Sequence, residues 1–146
     1  MSETDLLYGD VEESLRTVVR DLLATRCPPA SVLACYDGDR SLTSSLWPAL
    51  ARDLGLAGLL VPESLGGSGA SAREAAVVLE ELGRAVAPVP CLESAVVATT
   101  LLLEAADTNG PDGNNDIHAL LASVAGGDIT VALVQPLSSP EPGPEV

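Results

Sequence analysis

The scarcity of aromatic side chains most constrains how this chain can fold. The 146 residues include no Phe, one Trp and two Tyr, although 47% are hydrophobic. A core must therefore be built from Ala, Leu and Val, and this favours close helix packing over a β-sandwich. The length suffices for one ordinary domain, which we predict to be mainly α.

The charge of the chain argues against several classes of partner. Twenty-one acidic residues face seven basic ones, and the net charge is −14. A chain this acidic repels phosphate backbones and anionic lipid surfaces, so we expect no nucleic-acid or membrane binding. The longest apolar run, residues 95–103, is far short of the roughly 20 residues that span a bilayer.

The cysteines and the single histidine do not form a reactive pattern. Cys27, Cys35 and Cys91 have neither paired nor metal-like spacing. Their odd number, without an amino-terminal signal segment, indicates reduced thiols and a cytoplasmic location. His118 lacks a second histidine for a metal and a nucleophile motif for catalysis. We therefore predict no metal site, and no catalytic residue on chemistry alone.

The first predicted helix begins at Asp10 and ends before Pro28-Pro29. Asp10 and Glu13 form a pattern similar to a capping box, and proline stops a helix. The three- and four-residue spacing of apolar residues predicts the buried stripe. That stripe is Val11, Leu15, Val18 and Leu22.

The second predicted helix opens at Ser44 or Ser45 and ends at Gly55. A short extended segment, residues 58–62, then leads into Gly66-Gly67-Ser68-Gly69. Glycines let backbone amides approach an anion, but the Walker ending and the dinucleotide spacing are both missing. A structural turn is therefore favoured over a phosphate loop.

The third predicted helix has the clearest start, because Ser71-Ala72-Arg73-Glu74 is a capping box. Glu80 and Glu81 are adjacent, so their side chains point about 100° apart, and we predict a solvated face rather than an acid–base pair. A fourth helix, from about Cys91 to Ala106, is apolar nearly all round and is predicted to be the most buried. The third helix has the expected buried stripe Ala72, Ala75, Leu79, Leu82 and Val86.

The carboxyl-terminal part of the chain, from residue 108 onward, is less helical in its sequence pattern than the rest. Residues 108–116 are predicted to form a loop, and Ile117 to Ala125 a short helix. The β-branched run Ile129 to Val134 predicts a buried strand without a visible partner strand, and the Pro-rich residues 136–146 are predicted to be disordered. We therefore divide the chain into a helical domain, residues 1–127, and the start of a β domain, residues 128–146.

One series of motifs resembles a known family. Residues 47–63 contain Leu54-Gly55 and end in Val61-Pro62-Glu63; Gly66-Gly67-Ser68-Gly69 follows, and then Glu80-Glu81-Leu82-Gly83. This series is similar to the amino-terminal helical domain of flavin-dependent acyl-CoA dehydrogenases. The likeness extends from Asp10 to about Leu133.

The resemblance implies a function for the whole assembly. Members of the family bind FAD and remove hydrogens from the α and β carbons of an acyl thioester. Their catalytic base lies in a third domain and their flavin is held mainly by the β domain, so most of both sites would lie outside this chain. A Thr-Glu-Pro-type segment of the family corresponds to Val134-Gln135-Pro136 here, and the departure puts flavin binding in doubt.

The resemblance also implies a substrate-binding segment. The helix after Glu-Glu-Leu-Gly forms one wall of the acyl pocket in the family, and by position this is Cys91 to Leu103 here. Its small residues would leave room for a branched or ring-containing acyl group, although plain helix packing explains them equally well. The expected wall residues are Cys91, Ser94, Ala95 and Ala98.

Two hypotheses follow. The chain is the first domain of an acyl-CoA dehydrogenase-like flavoprotein, inactive without the missing domains, or it is a non-catalytic partner subunit or interaction module of a heteromeric acyl-CoA dehydrogenase. Both imply a homo- or hetero-oligomer that acts on an acyl-CoA substrate with FAD.

Overall fold

Six α-helices carry the fold in the computed structural model, which describes residues 7–109 and 115–134. The mainly α prediction is confirmed. Two π-helical segments, Ala49–Asp53 and Cys91–Ala98, extend α3 and precede α5, and three short 3-10 turns lie at Cys35–Asp37, Leu56–Gly58 and Glu63–Leu65. The helices are α1 Asp10–Arg26, α2 Pro29–Ala34, α3 Ser41–Pro48, α4 Ala72–Arg84, α5 Thr99–Asn109 and α6 Asn115–Ala125.

The main core lies where α1 and α4 pack against each other and against the α3 and Cys91–Ala98 segments. Its members are aliphatic and small, among them Val19, Leu46, Leu50, Val78 and Ala95. A second, smaller cluster joins α6 to the Val61 turn through Leu121 and Ala125. The core thus contains the residue types that the composition requires.

The start and the buried face of α1 both differ from the prediction. Gly9 caps the helix, and its N–H donates to the Glu12 carboxylate at 3.0 Å, so the Asp10–Glu13 capping pattern is wrong. Val11 and Val18 are exposed, whereas Val19 and Leu23 are buried. Leu15 and Leu22 of the predicted stripe do pack against the core, but the most buried positions lie one residue further along the chain. Charged side chains share the face that meets α4, and apolar spacing alone does not account for them.

The helix predicted to open at Ser44 or Ser45 begins at Ser41. The Asp39 carboxylate accepts a hydrogen bond from the Ser41 N–H at 2.8 Å and so caps the helix from two residues upstream. The predicted end at Gly55 is confirmed, because Gly55 takes a left-handed conformation with φ of +69°.

The α4 capping box is confirmed. Ser71 accepts from the Arg73 N–H at 3.2 Å, and the Glu74 carboxylate accepts from the Ser71 N–H at 2.8 Å. The preceding residues 58–62 are not extended as predicted, since a 3-10 helix and turns cover them. They fold back so closely that a Cβ on Gly67 would lie 2.1 Å from the Val61 carbonyl oxygen.

The predicted strand Ile129 to Val134 is wrong. These residues have no regular secondary structure, and no β-sheet forms among residues 7–109 and 115–134. A strand needs a neighbouring extended backbone to complete its hydrogen bonds, and no second strand lies beside these residues within the described ranges. The predicted tail, residues 136–146, and most of the predicted 108–116 loop lie outside the described residues; α5 nevertheless continues to Asn109 and α6 begins at Asn115.

Candidate functional site

The expected pocket wall begins with a π-helical segment. Cys91–Ala98 follows Pro90 and leads directly into α5. The Thr99 hydroxyl donates to the Ser94 carbonyl oxygen, five residues earlier, at 3.0 Å, and Thr99 is fully buried. Short π-helical turns are uncommon and occur frequently at functional sites, so this segment is a candidate site.

The structure separates the four residues expected to line the pocket. All four are buried, and Cys91 and Ala95 belong to the main core. The Ser94 hydroxyl accepts a hydrogen bond from the Val131 N–H at 3.1 Å. Ala98 alone borders an open depression, whose volume is about 150 Å³.

The depression at Ala98 has apolar walls that the sequence did not indicate. Leu101 and Leu102 contribute from α5, and residues 131–133 close the other side. Helical spacing places Leu101 and Leu102 within one turn of Ala98, and this signal could have identified them. The contact with residues 131–133 could not have been inferred, since those residues were expected to form a strand.

The side of this helical segment that faces away from the main core, which includes the rim of the depression, is exposed and apolar. Leu92, Val97 and Leu101 are each partly open to solvent, as are Leu133 and Val134. The prediction that this helix is the most buried therefore holds for only one of its faces. Exposed apolar residues clustered on one side of a domain are typical of a surface that contacts another domain or subunit.

The titratable groups near this segment are not poised for chemistry. Burial raises the pKa of the Cys91 thiol to about 11, and Glu93 adds to the effect. A thiol with so high a pKa stays protonated at neutral pH and is a poor nucleophile. His118 is half-buried on α6, and no group of three potential metal ligands occurs among the residues that the structure describes.

The most concentrated charge lies at the contact of α1 with α4. Glu81 is only 2% exposed, although a solvated face was predicted. The Arg16 guanidinium contacts both Glu80 and Glu81 at 3.0 Å, and Arg20 reaches Glu81 at 2.7 Å. The prediction of a solvated pair is wrong for Glu81, because one long arginine on α1 spans two neighbouring side chains on α4.

The arginines set the protonation of this cluster. A hydrogen bond from Arg20 lowers the pKa of the Glu81 carboxyl, and one from Arg16 lowers that of Glu80. Both carboxylates are therefore charged at neutral pH and do not act as general acids. Arg84 completes the cluster by pairing with Glu80 at 3.3 Å, as the four-residue spacing indicates.

The Gly66–Gly69 turn is used by the fold itself. The Gly67 N–H donates to the Pro62 carbonyl, the Ser68 N–H to Gly58 and the Gly69 N–H to Val61. These amides point into the chain rather than toward a phosphate, so the structural turn that the sequence favoured is the arrangement observed.

Comparison with known proteins identifies the family. Residues 9–110 match the sequence profile described as "Acyl-CoA dehydrogenase, N-terminal domain". The chain belongs to the acyl-CoA dehydrogenase family. Acyl-CoA dehydrogenase IpdE2 of Mycobacterium tuberculosis is 41% identical over 93 residues, which are 64% of this chain and 29% of that protein. IpdE2 of Mycolicibacterium smegmatis is 38% identical over 94 residues, 64% of this chain and 30% of that protein.

Two solved structures share the fold. A variant of the Tcur3481-Tcur3483 steroid ACAD aligns with a TM-score of 0.69 and 29% identity, covering 85% of this chain and 32% of that one. The ChsE4-ChsE5 complex from Mycobacterium tuberculosis aligns with a TM-score of 0.62 and 29% identity, covering 86% and 30%. This acyl-CoA dehydrogenase chain therefore spans less than a third of the length of each of these relatives.

Acyl-CoA dehydrogenases are generally FAD-dependent, but neither the glycine turn nor the Ala98 depression of this chain fits a flavin by itself. Five of the seven arginines already lie within 4.0 Å of a carboxylate, and the Gly66–Gly69 amides are satisfied internally. The depression at Ala98 is also much smaller than the roughly 300–1,000 Å³ of ordinary ligand sites. Within the described ranges, no helix is long and apolar enough to cross a membrane.

Proposed function

We propose that residues 1–127 are the amino-terminal helical domain of an acyl-CoA dehydrogenase subunit and that residues 128–146 begin its β domain. The helical segment from Cys91 to Asn109 contributes one wall of the acyl-CoA pocket. The reaction served by that pocket is the FAD-dependent α,β-dehydrogenation of an acyl thioester. The match of residues 9–110 to the family carries this proposal.

In this proposal the chain shapes the acyl site but performs no chemical step. The small residues Cys91, Ser94, Ala95 and Ala98 hold the segment close to its own core, and their size sets how far the wall stands back from the acyl group. The wall itself is formed by the apolar edge of the Ala98 depression with Leu101. Because the depression is shallow, the remaining walls come from other domains or subunits.

A bulky acyl group suits this arrangement. Small residues along the wall leave space for a branched or ring-containing acyl chain, and one structural relative is described as a steroid ACAD. We therefore propose a ring-containing acyl thioester as the substrate class.

The alternative is a non-catalytic partner subunit in a heteromeric, cytoplasmic enzyme. Both structural relatives carry paired names, Tcur3481-Tcur3483 and ChsE4-ChsE5, and the second is described as a complex. The exposed apolar side of Leu92, Val97 and Leu133 supplies a surface for such an assembly.

The proposal is tested first on the chain alone. We expect no flavin absorbance after gel filtration and no oxidation of acyl-CoA with an added electron dye. We expect flavin absorbance and acyl-CoA oxidation to appear once the chain is joined to its further domains or co-expressed with a flavin-bearing subunit. Activity regained only in the covalent form supports the single-subunit hypothesis, whereas activity regained with a separate subunit supports the heteromeric one. Activity of the isolated chain would contradict both.

The pocket wall is tested in the assembled enzyme by Leu101→Trp, with Leu92→Trp as the matched control. Both leucines are nearly half exposed, but only Leu101 lines the Ala98 depression. We expect Leu101→Trp to raise KM about tenfold for a ring-containing acyl-CoA. The rise in KM for a short straight-chain acyl-CoA should be smaller. Equal effects of the two substitutions on KM would refute this wall.

A further inference from the structure

A second apolar cavity lies between α2 and the end of α4, and we name it the α2–α4 groove. Its larger part has a volume of about 420 Å³, and an adjoining recess of about 230 Å³ shares Val32, Tyr36 and Val86 with it. It has no lining residue in common with the Ala98 depression. The further lining residues are Cys27, Pro29, Leu33, Cys35, Arg84, Ala85 and Pro88.

The groove exposes large apolar side chains to solvent. Tyr36 is 84% exposed and Leu33 is 66% exposed. Neither belongs to the main core, so core packing does not explain why these side chains are apolar. Its volume lies in the roughly 300–1,000 Å³ range that is typical of small-molecule sites.

Backbone strain supplies an independent observation at the same place. Val86 has a φ of +50°, and among the described residues it is the only non-glycine residue with a positive φ. It closes α4, since the Ala87 N–H donates to the Leu82 carbonyl at 2.9 Å. Glycine makes this kind of helix end without strain, so a β-branched residue here is an outlier. The strained position aims an apolar side chain, itself 61% exposed, into both parts of the groove. Strained backbone conformations of this kind cluster at functional sites.

The electrostatics of the groove favour an uncharged occupant. Arg84 stands at the rim with its side chain 63% exposed, but it pairs with Glu80 and Glu81. Arg84 is the one charged residue among the lining residues named above, so the lining holds no unpaired cation that could bind an anion such as a CoA thioester.

We propose that the α2–α4 groove binds an uncharged, mostly apolar small molecule with one polar end, such as an aliphatic or alicyclic alcohol or ketone. The apolar body packs on Val32, Tyr36 and Val86. The polar end lies at the rim, where the Arg84 guanidinium can donate a hydrogen bond to a hydroxyl or carbonyl oxygen. This site is independent of the acyl-CoA pocket and of the function proposed above.

The test uses the 146-residue chain with Nile red, a neutral fluorescent probe, and 1-decanol as competitor. We expect decanol to displace the dye with a Kd on the order of 100 µM. Decanoate has the same chain length but carries a charge at neutral pH, and we expect it to compete at least about fivefold more weakly. Equal competition by decanoate would overturn the proposal of an uncharged ligand.

Two groove variants locate the site. Tyr36→Ser and Val86→Gly each remove exposed apolar lining, and we expect each to weaken decanol competition about fivefold. Val86→Gly also relieves the strain, so its loss of binding cannot be attributed to unfolding. Leu92→Ser and Leu101→Ser, on the other exposed apolar surface, are the controls and should leave competition unchanged. Binding that follows the control substitutions, or none of the four, would place the dye elsewhere and overturn the proposal.

Discussion

Two interfaces of this domain are built from opposite chemistry. Where α1 meets α4, the buried Glu81 is held by Arg16 and Arg20, so charge fixes how the two helices align. Where the Cys91–Ala98 segment meets residues 129–134, the contact is small, neutral and bounded by one hydrogen bond to Ser94. The first interface is complete within the chain, whereas the second leaves an apolar side exposed. The difference indicates that the α1–α4 side stabilises the domain, and the exposed α5 side is the one that we propose to contact further domains or subunits.

The largest expected effect tests the charged interface. Glu81→Ala removes a buried carboxylate that accepts hydrogen bonds from both Arg16 and Arg20, and each hydrogen bond to a charged group contributes about 1.5–3 kcal/mol. Urea unfolding followed by circular dichroism measures the loss. Glu80→Ala, at a half-exposed neighbour on the same helix, is the control and should shift the midpoint much less. Equal shifts would mean that burial of Glu81 adds nothing to the interface.

The next effect tests the small-residue interface. Ala95→Leu places a larger side chain into a position that is almost completely buried, and overpacking of this kind costs about 1–3 kcal/mol. Val97→Leu, on the exposed side of the same segment, should change the free energy of unfolding by less than about 0.5 kcal/mol. Thermal unfolding compares the two. If Ala95→Leu is neutral, the segment is less tightly packed than its burial indicates.

Acid should weaken the charged interface selectively. The arginines lower the pKa of Glu80 and Glu81 in the folded chain, so the unfolded chain binds protons first as the pH falls. The stability they contribute is present above the unfolded value of 4.5 and is lost below it. We expect Glu81→Gln to show a shallower loss of stability than the parent chain between about pH 5 and pH 3. Urea midpoints across that range measure it, and parallel curves would contradict the assignment.

The smallest expected effect concerns the helix end outside both interfaces. Val86→Gly should raise the free energy of unfolding by about 0.5–1 kcal/mol, because glycine adopts positive φ without strain. Val18→Gly is a matched control, since Val18 is also exposed but lies inside α1, where glycine should lower stability by a similar amount. A loss of stability in Val86→Gly would show that the valine makes contacts that outweigh its strain.

Local signals in the sequence predicted where helices begin and end better than they predicted which side of each helix is buried. The Ser71–Glu74 box and the Gly55 stop were predicted because each depends only on residues within one turn. The buried side of α1 was predicted one residue away, since apolar spacing alone gives no weight to Arg16 and Arg20. Those arginines belong to the interface only because α4 presents Glu81 opposite them, and that juxtaposition spans more than 60 residues of chain.

For the candidate site, the sequence likewise indicated a segment but not which of its side chains line a depression. The resemblance places the expected pocket wall in Cys91 to Leu103, and this stays a prediction. Within that segment the depression lies at Ala98 with Leu101 rather than along all four expected residues. Cys91 and Ala95 turn into the core, and only the packing of neighbouring helices decides which side of an apolar helix does so.

The sequence by itself determined a helical domain of the acyl-CoA dehydrogenase family, because composition, caps and motif order are properties of neighbouring residues. The tertiary structure alone decided that Glu81 is buried, that Val86 is strained beside an apolar groove and that residues 129–134 lie against Ser94. The physical reason is that burial, ion pairing and strain depend on which distant segments meet, and those meetings are settled by the free energy of the whole fold rather than by any local pattern.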